Sequence, residues 1–152
     1  MGYKLSFFLP FLLLPITCVA ASSIIYGEAA EMCAKSADYA AGTRCLEKQR
    51  QQTEQALQQT LEAALKRVQS EDWLEANADY GDEDSQIVED TANALKNDQM
   101  TWEKHKALFC RVASSQISEK TPNYWVISTQ CEINMNKARI DELKALMAQV
   151  QP

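Results

Sequence analysis

Three long stretches of the chain repeat apolar residues at the spacing of an amphipathic helix. In each stretch the apolar side chains recur three, four or seven positions apart, with charged and amide side chains between them, so that one face is apolar. The stretches run from about residue 44 to 69, from about residue 86 to 115, and from about residue 122 to 150. Their apolar faces are Leu46, Thr53, Leu57, Leu61, Leu65 and Val68; Val88, Thr91, Leu95, Trp102, Leu108, Phe109 and Val112; and Val126, Ile127, Cys131, Met135, Ala138, Leu143, Leu146 and Val150.

Local signals mark where these helices begin. Gly42 and Thr43 supply a break and then a capping hydroxyl for the first long helix, which follows a shorter helical segment over residues 29–37. Ser85 is the expected N-cap of the second, and Thr121 followed by proline opens the third. Because Gly and Pro are sparse between these points, the predicted fold is all-α, a small bundle of three main helices.

The N-terminus has the pattern of a secretory signal peptide. Lys4 precedes an apolar run over residues 5–16, and the small residues Val19, Ala20 and Ala21 follow it. The run is shorter than the roughly 20 apolar residues of a membrane-spanning helix, so no stable membrane span is expected. Residues 1–21 are therefore predicted to be a signal peptide, and residues 22–152 a single exported domain that is periplasmic or secreted.

Cys18 gives the leader a second interpretation. A lipoprotein signal ends just before a cysteine that becomes acylated, but residues 15–17 lack the Leu and the Gly or Ala that are usual there. Soluble export is favoured over a lipid anchor at Cys18, and the anchor stays as the alternative.

Four further cysteines, an even number, indicate a disulfide framework in an oxidising compartment. They are Cys33, Cys45, Cys110 and Cys131. No two of them form a Cys-x-x-Cys pair, and His105 is the single histidine, so structural zinc is disfavoured. No metal and no cofactor is expected.

The segment between the first two long helices is acidic and contains two aromatic residues. Its candidate partner-binding residues are Glu71, Asp72, Trp73, Asp79, Tyr80, Asp82, Glu83 and Asp84. A calcium loop started at Asp79 is disfavoured, because the sixth position should be Gly and the twelfth Glu, but both are Asp. A solvated linker and a partner-facing loop with an aromatic anchor remain as interpretations.

The net charge of −6 excludes some partners and favours others. It becomes one unit more negative when Lys4 is removed with the leader. Nucleic acid and anionic lipid surfaces are therefore disfavoured, and a basic protein partner is favoured. Mild acidity that only aids solubility is the alternative.

No catalytic constellation is found along the chain, so an enzyme is not expected. His105 lies one helical turn from Trp102 and from Phe109, which predicts a partly buried packing residue. Gly-rich phosphate loops, nucleophile elbows and two-histidine metal helices are absent from the sequence. Neighbouring acidic residues such as Asp141 and Glu142 diverge around a helix and do not face one substrate.

A spaced motif in the second long helix resembles a known family. Leu95 and Lys96 are followed by Gln99, Trp102 and Cys110, that is, Leu-Lys, Gln, Trp, and a cysteine eight positions after the Trp. This pattern resembles the LprI-type lysozyme-inhibitor N-terminal domain, a family of small exported helical domains.

The resemblance extends from about residue 33 to residue 146. Cys131 is followed by Arg139 and Leu143 at the family's spacing, and Cys33 and Cys45 are similar to its first cysteine pair.

The chain departs from the family pattern at two places. Residues 105–107 are His-Lys-Ala where the family commonly has aromatic-Arg-Asp, a change that removes an expected ion pair. Asn136 stands where a Thr is usual. Details of that helix surface are therefore not transferred.

The resemblance implies a helical bundle braced by Cys33–Cys45 and Cys110–Cys131, although four cysteines allow three pairings by sequence alone. It implies structural roles for Leu95 and Trp102 in the core, for Gln99 as a polar helix neighbour, and for Arg139 as a cation near the second bridge; Leu143 belongs to the same motif.

The function that the resemblance implies is inhibition of a lysozyme by surface binding. The alternative is an envelope interaction or accessory module with a different protein partner.

Overall fold

The computed structural model describes residues 26–70, 73 and 84–148. In this part of the chain there are four α-helices and no strand: α1 (Glu28–Cys33), α2 (Tyr39–Val68), α3 (Asp84–Ser114) and α4 (Pro122–Met147). The prediction of an all-α bundle with three main helices is confirmed. The signal peptide assigned to residues 1–21 and Cys18 lie outside the described residues.

Helix α4 is the central element of the bundle. It packs most extensively against α2 and next against α3, whereas α2 and α3 touch each other less. Leu46 of α2 packs in one cluster with Ile133 of α4, and Leu57, later in α2, packs in another cluster with Leu143, later in α4. Helices α2 and α4 therefore run in the same direction. The Cys110–Cys131 bridge and the Arg139–Gln99 hydrogen bond show that α3 runs antiparallel to α4.

The apolar core is divided into two clusters along α4. The first contains Ala29, Cys33, Leu46 and Ile133, with Trp125 and Val126 packed against it. The second contains Leu57, Ala64 and Leu143, with Leu61, Leu95, Trp102, Ile140 and Met147 around it. Between Ile133 and Leu143, the buried residues of α4 are the polar Asn136 and Arg139.

Two disulfides join consecutive helices. Cys33–Cys45 links α1 to α2, and Cys110–Cys131 links α3 to α4, each with 5.5 Å between the Cα atoms. This is the pairing that the family resemblance implies.

Helix α2 begins earlier than the sequence indicates. Asp38, not Thr43, is its N-cap, and the Asp38 Oδ1 accepts a 2.7 Å hydrogen bond from the backbone N–H of Ala41. Gly42 lies inside the helix, where an added Cβ would come within 3.1 Å of the Cys33 carbonyl oxygen. The glycine therefore allows the end of α1 to approach α2 closely, and the expectation of a break at residues 42–43 was wrong.

Two other helix starts differ in detail from the expected caps. Ser85 lies within α3, which begins at Asp84. Thr121 does precede Pro122 at the start of α4, but its hydroxyl donates to the Ser118 carbonyl oxygen at 2.8 Å and does not cap the helix.

The buried face of α3 also differs from the predicted apolar stripe. Leu108 and Val112 are 63% and 67% exposed, whereas Cys110 between them is buried. Residues two positions apart on an α-helix are rotated by about 200°. Because the bridge to Cys131 turns Cys110 inward, Leu108 and Val112 point away from the bundle.

Side chains of α4 hold the short α1 segment in place. Gln130 Oε1 accepts from the Ala30 backbone N–H at 2.7 Å, and Gln130 Nε2 donates to Asn134 Oδ1 at 2.7 Å. Asn134 Nδ2 then donates to the Tyr26 carbonyl oxygen at 3.1 Å. A helix of six residues is not stable alone, so these bonds and the first disulfide fix its position.

None of the described helices combines the length and the apolar character needed to cross a membrane.

Replacing both Cys110 and Cys131 by Ala is expected to lower the melting temperature by about 10 °C. A disulfide that closes a loop of this length contributes about 3 kcal/mol by the chain-entropy argument, because the open loop gains freedom in the unfolded chain. Thermal unfolding followed by circular dichroism measures the change. An unchanged midpoint relative to the oxidised parent protein would contradict a stabilising role for this bridge.

Candidate protein-binding surface

The family-motif residues of α3 and α4 meet around the Arg139 guanidinium. Arg139 Nε donates to Gln99 Oε1 at 3.1 Å, and Nη1 donates to Glu142 Oε2 at 3.0 Å. Nη2 donates to Asp98, and the guanidinium carbon lies 5.8 Å from the centre of the Trp102 ring. Arg139 is thus a cation that binds α3 to α4, and it lies two helical turns beyond Cys131, away from the bridge itself.

The surroundings keep Arg139 charged. Burial lowers the pKa of Arg139, but the hydrogen bonds with Asp98 and Glu142 and their negative charges raise it by more, so the net shift is upward. Arg139 is therefore a cation at neutral pH, as arginines in proteins are.

Three carboxylates lie at the solvent side of this cation and form a surface that we call the acidic patch: Asp98, Glu103 and Glu142. The Arg139 side chain is only 9% exposed, whereas those of Asp98 and Glu142 are 60% and 61% exposed. Glu103 is also exposed, and its Oε1 accepts from Gln99 Nε2 at 3.3 Å. The buried groups hold the carboxylates in place while leaving them open to a partner.

Leu95, Trp102 and Leu143 lie beneath this patch in the second apolar cluster. Leu143 is fully buried, and Leu95 and Trp102 are half-buried. The packing of these three side chains holds together the α3 and α4 segments that carry the acidic patch.

A second polar network joins all three long helices. Lys106 Nζ donates to Asn136 Oδ1 at 3.0 Å, and Asn136 Nδ2 donates to Thr53 Oγ1 at 3.2 Å. The same ammonium lies 3.9 Å from Glu54 and 5.1 Å from the centre of the Trp102 ring. Sequence patterning did not identify this network, because Lys and Asn in a helix ordinarily indicate the solvent face.

The two departures from the family pattern therefore touch each other. Lys106 stands where the family commonly has Arg, and Asn136 stands where it commonly has Thr, and the two side chains are hydrogen-bonded. Lys106 keeps a cation at this position, and its ammonium lies 3.9 Å from Glu54.

Arg50 extends the network along α2 and contacts two glutamates whose pKa values are shifted in opposite directions. Its guanidinium donates to Glu47 at 2.7 Å and to Glu54 at 2.9 Å, and it lies 3.7 Å from Glu132 of α4. The hydrogen bond from Arg50 holds the pKa of Glu47 below its ordinary value. Burial raises the pKa of Glu132, although Arg50 and Lys106 oppose this shift.

Most of the predicted partner-binding segment lies outside the described residues. This applies to Glu71, Asp72, Asp79, Tyr80, Asp82 and Glu83, while Asp84 begins α3. Trp73 is described and half-buried: its backbone N–H donates to the Ser70 carbonyl oxygen at 3.0 Å, and the Arg67 guanidinium lies 5.4 Å from its ring centre. Trp73 thus packs at the end of α2.

His105 is exposed, which corrects the expectation of a partly buried residue. Its ring centre lies 5.6 Å from that of Phe109 at the edge of α3. Within residues 26–70, 73 and 84–148, no three His, Cys, Asp or Glu side chains are grouped so that they could hold a metal ion.

Substituting Glu132 by Gln is expected to raise the urea midpoint at about pH 7, and substituting Glu47 by Gln is expected to lower it. The raised pKa of Glu132 means that folding disfavours its charge, so the folded state gains stability as the pH falls from the raised pKa to the ordinary one. The lowered pKa of Glu47 has the opposite effect: it contributes stability above the ordinary pKa, and this is lost as the pH falls through the lowered one.

The Glu132 difference should disappear at about pH 3, where a carboxyl with a raised pKa is protonated, and the Glu47 difference should persist until the pH falls through the lowered pKa of Glu47. Urea unfolding at the two pH values measures them. Midpoint shifts of the same sign at neutral pH would contradict the assignment.

Replacing Arg139 by Met is expected to lower the unfolding free energy by about 2 kcal/mol, because Gln99 Oε1 is left buried without its donor. The matched control is Lys137→Met, on the exposed side of the same helix. Urea unfolding compares the two variants, and equal losses would show that Arg139 is an ordinary surface cation.

Comparison with protein families gives this arrangement a context. Residues 33–143 match the family model described as lysozyme inhibitor LprI. The match starts at the first disulfide, ends in the second apolar cluster, and covers more than half of the chain. The chain matches none of the curated proteins and none of the solved structures with which it was compared. Because the match extends over residues 33–143, the chain belongs to the lysozyme inhibitor LprI family.

Proposed function

We propose that this chain is an exported, non-enzymatic protein that binds a lysozyme and blocks its activity. The observation that carries the proposal is the match to the lysozyme inhibitor LprI family over residues 33–143, which includes both disulfides and the Arg139 cluster. In this proposal residues 1–21 are removed on export, and residues 22–152 act in the periplasm or outside the cell.

Charge supports a basic enzyme as the partner. The chain carries 21 acidic residues against 15 basic residues, a net charge of −6. An acidic protein attracts a basic one over distances up to about the Debye length, which is about 8 Å at physiological salt. This attraction raises the rate at which the two proteins meet.

The acidic patch is suited to this attraction because Asp98, Glu103 and Glu142 are held before the partner arrives. Fixed side chains lose little conformational entropy on binding, so more of the interaction free energy contributes to affinity.

The acidic segment between α2 and α3 is proposed as a second contact region. Its residues Glu71, Asp72, Asp79, Asp82 and Glu83 add five carboxylates to the sequence, and Tyr80 adds an aromatic side chain. Trp73, at the start of the segment, combines a large apolar surface with an indole N–H, and tryptophan is enriched among the residues that dominate interface energies.

Purified, oxidised protein is expected to inhibit lysozyme hydrolysis of cell walls at close to equimolar ratio. Glu103→Lys should slow association by about threefold to tenfold at low salt, because it reverses one charge of the acidic patch. The matched control is Glu62→Lys, an equal change at an exposed position of α2. Turbidity loss of cell walls measures inhibition, and surface plasmon resonance measures the association rate.

Absence of inhibition at large molar excess, with chicken-type and other lysozymes alike, would remove the proposed activity. Recovery of a specific partner that is not a lysozyme from an envelope extract would then favour an accessory role.

A further inference from the structure

A cavity of about 440 Å³ opens where α1, the first turns of α2 and the start of α4 meet. We call it the α1–α2 cleft. Its volume lies within the range of about 300–1,000 Å³ that is usual for ligand sites in proteins. Cavities of this size at the surface of a small helical protein can receive a side chain or a short loop of a partner.

The cleft has an apolar floor and a polar rim. Ala30, Cys33, Leu46 and Val126 line the floor, and Ser36, Thr43 and Asn123 belong to the rim. Tyr39 also lines the cleft and is 58% exposed. An apolar floor with a few polar groups around it is the usual composition of a binding pocket.

The walls of the cleft are fixed by strong local constraints. The Cys33–Cys45 disulfide joins α1 to α2 beside the floor, and Gly42 allows the two backbones to approach. Asp38 caps α2 through one of its two carboxylate oxygens. A preformed cavity does not have to be ordered on binding, which favours affinity.

The charge around the cleft favours a cationic ligand. Among the described residues that line it, Asp38 is the only charged one. Residues 28–38 carry three carboxylates, on Glu28, Glu31 and Asp38, against the single ammonium of Lys35. A ligand that places an apolar group in the floor would therefore gain further from a neighbouring positive charge.

We propose that the α1–α2 cleft binds a protruding loop of a basic protein, with an apolar side chain in the floor and an adjacent Lys or Arg paired with Asp38. The choice of a lysozyme as that protein rests on the proposed function. Exposed Tyr39, and Met32 at 46% exposure on α1, are of residue types enriched at protein interfaces.

The cleft is separate from the acidic patch. Val126 and Arg139 are 13 positions apart on α4, which is about 20 Å along the axis and about 140° around it. Substitutions in the cleft therefore leave the acidic patch unchanged.

Two substitutions test the cleft in the complete oxidised protein. Ala34→Phe fills it from an exposed position, and Asp38→Asn removes the charge while keeping a good N-cap. The matched controls are Ala107→Phe on the exposed side of α3 and Asp141→Asn on the exposed side of α4.

With chicken-type lysozyme as the probe, calorimetry should give a Kd raised at least about tenfold by Ala34→Phe and about threefold to tenfold by Asp38→Asn, and unchanged in the controls. If the parent protein binds lysozyme and both cleft variants bind equally well, the cleft proposal is overturned and the proposed function stands.

A second arm does not depend on lysozyme. Acetyl-Arg-Leu-Arg-amide, titrated into labelled protein, should shift the amide resonances of Ala34, Gly42 and Val126, and Ala34→Phe should abolish the shifts. Acetyl-Glu-Leu-Glu-amide is the matched peptide of opposite charge and should leave these resonances in place.

Shifts with the cationic peptide in a protein that binds no lysozyme would support the cleft and overturn the proposed function. Equal responses to the two peptides, or shifts spread over other residues, would overturn the cleft proposal.

Discussion

Buried polar side chains on α4 must find hydrogen-bond partners, and this requirement determines how the other helices are placed. Gln130 bonds the backbone of α1, Asn136 bonds Thr53 of α2 and Lys106 of α3, and Arg139 bonds Gln99 and Asp98 of α3. An unpaired buried polar group costs about 1–3 kcal/mol, so a shift of any helix along α4 would be penalised at several points. Apolar clusters lie towards the two ends of α4, and the polar side chains between them fix the register of the helices.

This arrangement explains how the chain accommodates its departures from the family pattern. A lysine ammonium is a compact point charge that needs few acceptors, whereas an arginine presents five donors in a plane. Asn136 supplies one acceptor to Lys106 and still has an amide N–H to give to Thr53. The pair therefore satisfies a half-buried cation with neutral groups, and Glu54 completes its surroundings at 3.9 Å.

Helix count, helix type and approximate boundaries could be predicted because they depend on local periodicity, and the resemblance supplied the correct disulfide pairing. Residues of α3 and α4 that face inward were harder to predict. Leu108 and Val112 look like core residues and are exposed, whereas Gln99, Gln130 and Asn136 look like surface residues and are buried. The hydrophobicity of a residue does not show which way its side chain faces. Burial here depends on how the Cys110 bridge orients α3, and on the hydrogen bonds of Gln130 and Asn136 with residues more than 80 positions away in the chain. For the same reason the α1–α2 cleft, which combines three separate segments, left no signal in the sequence.

Both disulfides lie in the same half of the bundle, where α2 and α4 begin and α3 ends. In the described part of the chain, the opposite half is held by side-chain packing and hydrogen bonds alone. The molecule is thus mechanically asymmetric, with a clamped end and an end that opens at lower free energy, since local unfolding follows the weakest set of contacts. The acidic segment joins α2 to α3 at the end that opens, and the α1–α2 cleft lies at the clamped one. Amide exchange should therefore report a gradient of protection along each long helix, with the lower protection at the end away from the two disulfides.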